Sequence, residues 1–199
     1  ISSAASDVYK RQIHLIRHKK YAIQEGAINI ENIQNILNNI QVVEEPKLPF
    51  PQADSFERVI NLCELLKQKG FISKNDITQN YDFDYRQTNY YSSAARYLGL
   101  IKDVYENRQT GCSLTQEGFR IFNLPIVERQ LEFVKLILTH TVFQNTLNLY
   151  FEKGDAPTKD EVVEIMKEAQ LYNIDSEQTY RRRASTIISW INWILGLIE

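Results

Sequence analysis

Glycine and proline are scarce in this sequence, and their scarcity argues against two classes of protein. The 199 residues include only seven glycines and five prolines, too few for the many tight turns of an all-β sandwich. The glycines also form no phosphate-binding loop of the Walker or dinucleotide type. The sequence therefore argues against nucleotide-driven chemistry, and we predict no cofactor.

Residue types that commonly bind metals are equally few. Cys63 and Cys112 are the only cysteines, and they neither suffice for a disulfide framework nor have the spacing of a zinc knuckle. His14, His18 and His140 are scattered along the chain. We therefore predict no metal site and a reducing, cytoplasmic setting.

The chain also lacks an excess of one charge and a long apolar run. It carries 23 Lys+Arg and 25 Asp+Glu, a net charge of −2, so it is not a basic protein that coats nucleic acid through charge alone. Its longest apolar stretches, such as residues 187–198, are too short to span a bilayer, and we predict no membrane association. Its 43% hydrophobic content is enough for a sizeable core.

The first quarter of the chain divides into two segments. Residues 1–12 have the character of an adapter-derived or disordered leader, which implies that the natural protein extends further upstream. Residues 13–49 contain a short amphipathic helix near 30–40 and then a proline-rich linker that cannot be helical. Neither segment predicts a domain of its own.

Residues 50–124 show a regular order of elements. Capping patterns predict one helix that begins near Asp54 and ends at Gly70, and a second that begins near Ser73. A third helix runs over 84–97, and two short strands follow around a polar turn. Helix, helix, helix and hairpin is the order of a winged helix-turn-helix, so we predict this fold for 50–124.

Residues 125–199 repeat the plan. A long helix is predicted over 127–151, a capped helix follows, and a third runs over 176–195. The end of the third helix, residues 194–198, echoes residues 97–101 at an offset of 97. The predicted fold class is thus mostly α, with tandem winged helix-turn-helix units and a short β-hairpin wing, the second wing being truncated.

Three short motifs point to a family. They are Tyr85-Arg86-Gln87-Thr88-Asn89-Tyr90-Tyr91, Tyr97-Leu98-Gly99-Leu100-Ile101 and Leu114-Thr115-Gln116-Glu117-Gly118, the last common to winged helices generally. With them, the chain from about residue 30 onward resembles the winged-helix DNA-recognition modules of type II restriction endonucleases and related restriction-modification proteins. The resemblance implies a DNA-recognition part and no catalytic residue.

The helix over 84–97 is the candidate DNA reader. Tyr91, Ala94, Ala95 and Leu98 form its core-facing side, which leaves a polar outward side. Arginine, asparagine and glutamine can make bidentate contacts to base edges in a major groove, although a polar outward side is also what solvation alone requires. The base-reading candidates are Arg86, Gln87, Asn89, Tyr90 and Ser93.

Cations elsewhere are candidates for phosphate contacts. Three adjacent arginines follow one another near the start of the last helix, where successive side chains point about 100° apart, so the three cannot all share one face. The remaining candidates lie near the predicted reader and in the wing. The full set is Lys74, Arg96, Lys102, Arg108, Arg181, Arg182 and Arg183.

Two tryptophans interrupt the repeat. Trp190 and Trp193 fall where the first copy has Ser93 and Arg96, on the side that would read DNA. Exposed tryptophans are unfavourable there, so we predict that another element or a partner subunit covers this side. A homodimer through the C-terminal unit is one way to cover it.

No residue set supports catalysis. Glu45-Pro46-Lys47 matches the letters of the Glu-x-Lys metal site of restriction nucleases but lies in the linker. Glu161 and Glu164 share a helix face, which we interpret as solvated because lysines flank them. We therefore predict that this chain alone is not an enzyme and that a catalytic domain is absent from it.

The predicted function is sequence-dependent binding of double-stranded DNA, as the recognition part of a restriction endonuclease-like protein. A transcription regulator built from the same units is one alternative. A protein-interaction scaffold is another, and the 11 tyrosines would suit either kind of surface.

Overall fold

The protein, described here from a computed structural model, is mostly helical with one three-stranded antiparallel sheet, which confirms the mostly-α prediction. The structure describes residues 27–80, 85–106 and 108–198. The helices are α1 (Ile30–Asn39), α2 (Phe56–Lys69), α3 (Lys74–Asn80), α4 (Tyr85–Tyr97), α5 (Gln116–Phe122), α6 (Ile126–Leu138), α7 (Thr141–Lys153), α8 (Lys159–Glu168) and α9 (Glu177–Leu195), and the strands are β1 (Ile72–Ser73), β2 (Ile101–Glu106) and β3 (Gln109–Leu114).

The described residues cluster into two compact units. The first unit holds residues 57–124, and the second holds 27–56 together with 125–198. Residues 27–56 therefore belong with the C-terminal helices, whereas the sequence suggested a separate segment and linker. Hydrophobic positions explain the difference, because Ile33 and Leu37 of α1, and then Phe50 and Phe56, are buried.

In the first unit the sheet has the strand order β1-β3-β2. Ile72 pairs with Cys112, and β2 pairs with β3 along its whole length from Ile101 opposite Leu114. The sequence predicted β2 and β3, but β1 is only two residues long and carries no recognisable pattern. It lies between α2 and α3 in the chain.

Local signals set the helix ends in this unit. The Ser73 hydroxyl accepts a hydrogen bond from the Asp76 N–H at 3.1 Å and donates to its carboxylate at 2.7 Å, so α3 has the cap that the sequence predicted. Gly99 ends α4 with a φ of +70°, in the left-handed region that favours glycine.

The Leu-Thr-x-x-Gly motif joins β3 to α5. Thr115 is the N-cap of α5 and accepts from the Gly118 N–H at 2.9 Å, while its own hydroxyl donates to the Gly99 carbonyl at 2.6 Å. A Cβ on Gly118 would overlap the Leu100 carbonyl oxygen. The motif is therefore a cap plus a close backbone approach.

The second unit contains α1 and α6 to α9. The single helix predicted over 127–151 is two helices, because His140 adopts an extended conformation with φ of −92° and ψ of 125°. No glycine or proline marks this break. Thr158 and Glu161 form the predicted capping box of α8, and Ser176 caps α9.

Residues 40–56, which we call the arm, form no helix or strand before Phe56, the first residue of α2, and they pack on the helices of the second unit. The Val43 N–H donates to the Thr139 carbonyl at 2.9 Å, and the Phe50 ring stacks on Phe143 at 5.9 Å between centroids. The prolines keep the arm from forming a helix, as predicted, and the apolar side chains fix it to the helices. Across the described ranges, no helix is both long enough and apolar enough to cross a membrane.

Candidate nucleic-acid interface

Helix α4 has the two sides that its sequence predicts. Tyr91, Ala94, Ala95 and Leu98 are buried in the first unit. Their side of the helix is held by α2, where the Arg58 guanidinium lies 5.7 Å from the centroid of the Tyr91 ring. Burial of this side directs the opposite side of α4 outward.

The outward side of α4 carries the base-reading candidates. Asn89, Tyr90 and Ser93 are partly exposed, and α4 contains no acidic residue. Arg86 and Gln87 lie in the first turn of α4, but their side chains are outside the described part of the chain. The side available to a ligand is thus polar and free of the carboxylates that would repel a phosphate backbone.

Arg96 is held in an ion pair. Its Nη2 lies 2.7 Å from Oδ1 of Asp103 in β2, and its side chain is only 23% exposed. The pair neutralises the arginine charge and connects α4 to the hairpin. Arg96 therefore braces these two elements, and the phosphate contact predicted for it would require the pair to open.

The cations of the hairpin and α3 lie in different places. Lys102 is exposed on the side of the hairpin opposite Asp103, since neighbouring strand residues point to opposite faces. Arg108 is exposed at the hairpin tip, and its φ of +61° is uncommon for an arginine. Lys74 is exposed at the start of α3.

The two cysteines are buried thiols of the first unit. Burial raises the pKa of Cys112 to about 11, against which the positive charges of Arg96 and Lys74 act in the lowering direction. Burial also raises the pKa of Cys63 well above its usual value. Both thiols stay protonated near neutral pH, so they do not offer a reactive nucleophile.

The three adjacent arginines of α9 have three different environments. Arg181 pairs with Asp160 at 2.5 Å, and Nη1 of Arg183 donates to Oε1 of Gln52 at 2.7 Å. Arg182 is exposed. The cluster is therefore split between an ion pair, the arm and solvent, as the angular spread of the three residues predicted.

The arm covers the two tryptophans. Trp190 is fully buried, its Nε1 donates to the Ala53 carbonyl at 2.8 Å, and its ring stacks on Phe143 at 5.2 Å. Trp193 contacts the Phe56 ring at 4.5 Å between centroids. The Ser189 hydroxyl donates to the Asp54 carbonyl.

The sequence predicted that either another element of the chain or a partner subunit covers the tryptophans. In the structure, the arm, an element of the same chain, covers them. Trp190 therefore offers no surface to a partner subunit. The homodimer stays a prediction, and of its two suggested contacts only Trp193 is partly exposed.

The carboxylates considered for catalysis each contact a basic side chain of the second unit. Glu45 lies 3.3 Å from Nδ1 of buried His140, and Glu164 pairs with Lys167. Hydrogen bonds from Lys153 and then Thr158 lower the pKa of Glu161 to about 2. Among the described residues, no group of three or more His, Cys, Asp or Glu side chains could hold a metal ion.

Two exposed aromatic side chains of the first unit, Tyr105 and Phe119, were not among the predicted site residues. Tyr105 of β2 is 73% exposed, more than any other large hydrophobic side chain that the structure describes. Strand alternation alone could not have indicated this exposure, because Tyr105 lies on the same hairpin face as Ile101, which is buried.

Fold and interface together define a mostly helical protein of two units, one of which presents a polar helix beside a β-hairpin. The chain belongs to the family described as a domain of unknown function (DUF7226), which matches residues 58–199. No curated protein and no solved structure matches the chain.

Proposed function

We propose that the first unit is a winged helix-turn-helix that binds double-stranded DNA, with α4 as its reading helix. The order helix, strand, helix, helix, strand, strand supports this, as does the sheet order β1-β3-β2 with β1 inserted after α2. In such a unit α3 and α4 form the helix-turn-helix and β2 and β3 form the wing.

The observation that carries the proposal is the two-sided character of α4. One side is buried through Tyr91, Ala94 and Leu98, and the other presents Asn89 and Ser93 without an acid. One helix fits the major groove, and amide side chains there can read adenine edges. The near-neutral chain would then depend on selective base contacts more than on attraction to phosphates.

The wider role follows from the motifs at residues 85–91, 97–101 and 114–118, which resemble those of restriction-modification proteins. We propose that the chain acts as the recognition part of a restriction endonuclease-like protein, whose catalysis is supplied by sequence that this chain does not contain. A transcription regulator would use the same surface. Cleavage of DNA by the purified chain with Mg²⁺ alone would contradict the proposal that this chain is not an enzyme.

DNA binding is tested by selection from random duplexes at low salt, followed by titration of the enriched duplex at several salt concentrations. We expect an enriched sequence and an affinity that falls as the salt concentration rises, with a modest slope because few phosphate contacts are proposed. Asn89→Ala should weaken binding and relax selectivity at one or two base pairs, by about 1–3 kcal/mol. No enrichment at low salt would refute the proposal.

A matched control separates base reading from general loss of charge or stability. Arg120→Ala removes a cation of the same unit whose guanidinium is already paired with Glu117 at 2.6 Å. It should leave both the selected sequence and the affinity unchanged. Arg86→Ala should lower affinity if α4 enters the groove.

A second candidate, a protein-interaction scaffold, is favoured by one observation. In the repeat predicted from the sequence, α9 of the second unit corresponds to α4, and its side that carries Arg183 and Trp190 contacts the arm. The same kind of helix face can therefore bind polypeptide. A scaffold would show no salt-dependent DNA binding and no effect of Asn89→Ala on it.

A further inference from the structure

The hairpin of the first unit has one face toward the helices and one away from them. Asp103 lies opposite Cys112, and Tyr105 lies opposite Thr110, so all four side chains share a face. Cys112 is buried, and Asp103 binds Arg96 of α4. Tyr105 is therefore on the helix side, two residues beyond the ion pair that joins the hairpin to α4.

Tyr105 is not used by the core of the unit. It is 73% exposed, whereas Ile101 on the same face is buried. A tyrosine has a large apolar ring and few rotatable bonds, so it gives much contact area at low entropic cost, and such residues are enriched where partners bind. The hairpin thus presents an exposed aromatic ring on the face that carries the ion pair to α4.

Among the described side chains, the outward side of α4 and the hairpin face of Tyr105 carry no net charge. Arg96 and Asp103 cancel one another, Thr110 is neutral, and Asn89 and Ser93 of α4 are polar without charge. Glu106, the acid next to Tyr105, points to the opposite face because strand residues alternate. A contact made here suits a sugar ring or a base edge better than a phosphate.

The ion pair between Arg96 and Asp103 joins the hairpin to α4. The φ of +61° at Arg108 is the left-handed conformation that a tight turn between paired Glu106 and Gln109 favours. The ion pair, two residues from Tyr105 on the same strand, therefore gives Tyr105 a defined place relative to α4.

We propose that Tyr105 is a second DNA contact of the first unit, in which its ring packs on deoxyribose or a base edge beside the duplex segment that α4 reads. Arg96 and Asp103 are positioning residues that hold the hairpin, and with it Tyr105, at the correct distance from α4. This inference rests on the proposed DNA binding and adds a contact that carries no charge.

The test compares Tyr105→Ala with the wild-type full chain on the duplex selected above, over a series of salt concentrations. We expect about a tenfold loss of affinity with the slope of affinity against salt unchanged, because no phosphate contact is lost. Tyr105→Phe should retain most of the affinity. Tyr172→Ala, which removes an exposed tyrosine of the second unit, is the control and should bind like wild type.

Failure of this inference can be told from failure of the proposed function. If the wild type binds and Asn89→Ala weakens it, but Tyr105→Ala binds like wild type, only the inference about Tyr105 is overturned. A reduced salt slope in Tyr105→Ala would also overturn it, since the contact would then be ionic. If the wild type binds no duplex at low salt, the proposed function itself fails and the inference fails with it.

The positioning role has a separate readout. Asp103→Asn combined with Arg96→Gln removes the ion pair without freeing the Arg96 charge for a phosphate, and this combined change should lower affinity only while Tyr105 is present. When this change is combined with Tyr105→Ala, the total loss of binding free energy should therefore be smaller than the sum of the losses measured for the two changes separately. Additive losses would show that the ion pair does not act through Tyr105.

Discussion

The indole N–H of Trp190 donates a hydrogen bond to the carbonyl oxygen of Ala53 at 2.8 Å, which ties α9 to the arm inside the second unit. Phe56 lies against the same ring, at 4.9 Å between centroids. One side chain thus satisfies a backbone carbonyl of the arm and fills the space beneath it. The arm is fixed by polar and apolar contacts together.

Trp190 should therefore be more important for stability than the neighbouring Trp193. Trp190→Phe loses the hydrogen bond to Ala53 and leaves a cavity, and we expect it to lower the free energy of unfolding by about 2–3 kcal/mol. Trp193→Phe, at a partly exposed position, should cost less than about 1.5 kcal/mol. Urea denaturation followed by circular dichroism measures both. An equal or larger loss in Trp193→Phe would contradict this account of the arm.

Thr186 of α9 offers a way to stabilise the protein. Its side chain is 0% exposed, and its hydroxyl oxygen is buried without a hydrogen-bond partner. Thr186→Val keeps the shape and removes the unsatisfied group, so we expect a gain of about 1 kcal/mol in the free energy of unfolding.

Thr146 of α7 is the matched control for Thr186. It is equally buried, but its hydroxyl donates to the Val142 carbonyl at 2.6 Å. Thr146→Val should be neutral or destabilising, since a made hydrogen bond is lost. The melting temperatures of both variants test this difference. Equal stabilisation by Thr186→Val and Thr146→Val would contradict the explanation that the gain comes from removing an unsatisfied hydroxyl.

Gly118 should be intolerant of any side chain. A Cβ at this position would overlap the Leu100 carbonyl oxygen, which belongs to backbone and cannot rotate away. We expect Gly118→Ala to cost about 3 kcal/mol. Gly154→Ala meets nothing within 4 Å and carries only the strain of a φ of +68°, so it should cost about 1 kcal/mol. A larger loss of unfolding free energy for Gly154→Ala than for Gly118→Ala in denaturant titrations would exclude the close approach of Gly118 to the Leu100 carbonyl.

Local signals in the sequence predicted local structure well. The caps at Ser73 and Thr158 lie within three residues of the groups they bind, so their letters alone indicate the helix starts. The buried side of α4 was also predictable, because its period matches the helix. These features depend on nothing beyond one turn of chain.

Long-range packing was not predictable in the same way. The break at His140 carries no glycine or proline, and it coincides with the place where Val43 of the arm binds the Thr139 carbonyl. The proline-rich part of the arm was predicted as a linker that cannot be helical, but its partners lie far along the chain, 93 positions for Phe50 with Phe143 and 131 for Gln52 with Arg183. Sequence patterns do not encode such distances.

Acid should destabilise the second unit partly through Glu161. Its pKa is lowered from the usual 4.5 to about 2, first by the hydrogen bonds from Lys153 and then by those from Thr158. A lowered pKa in the folded state means that the contribution to stability is complete above pH 4.5 and is lost as the pH falls toward 2. Glu161→Gln should therefore flatten the pH dependence of unfolding in that window.

The control for Glu161 is another carboxylate of the same unit. Glu152→Gln changes an exposed side chain at the end of α7 and keeps the capping box intact. It should leave the acid dependence close to that of the wild type. Equal flattening by both variants would show that general charge, and not the contacts of Glu161, controls the acid response.

Arg183 should contribute to the fold more than to DNA binding. Its Nη1 donates to the Gln52 side chain of the arm at 2.7 Å, so a phosphate would have to compete with this contact. Arg183→Ala is expected to lower the melting temperature while leaving the salt slope of DNA binding unchanged. Arg182→Ala, at an exposed position of the same turn, should leave the melting temperature unchanged. If Arg183→Ala reduced the slope of DNA affinity against salt concentration, Arg183 would contact a phosphate, and its hydrogen bond to Gln52 of the arm would have to break on DNA binding.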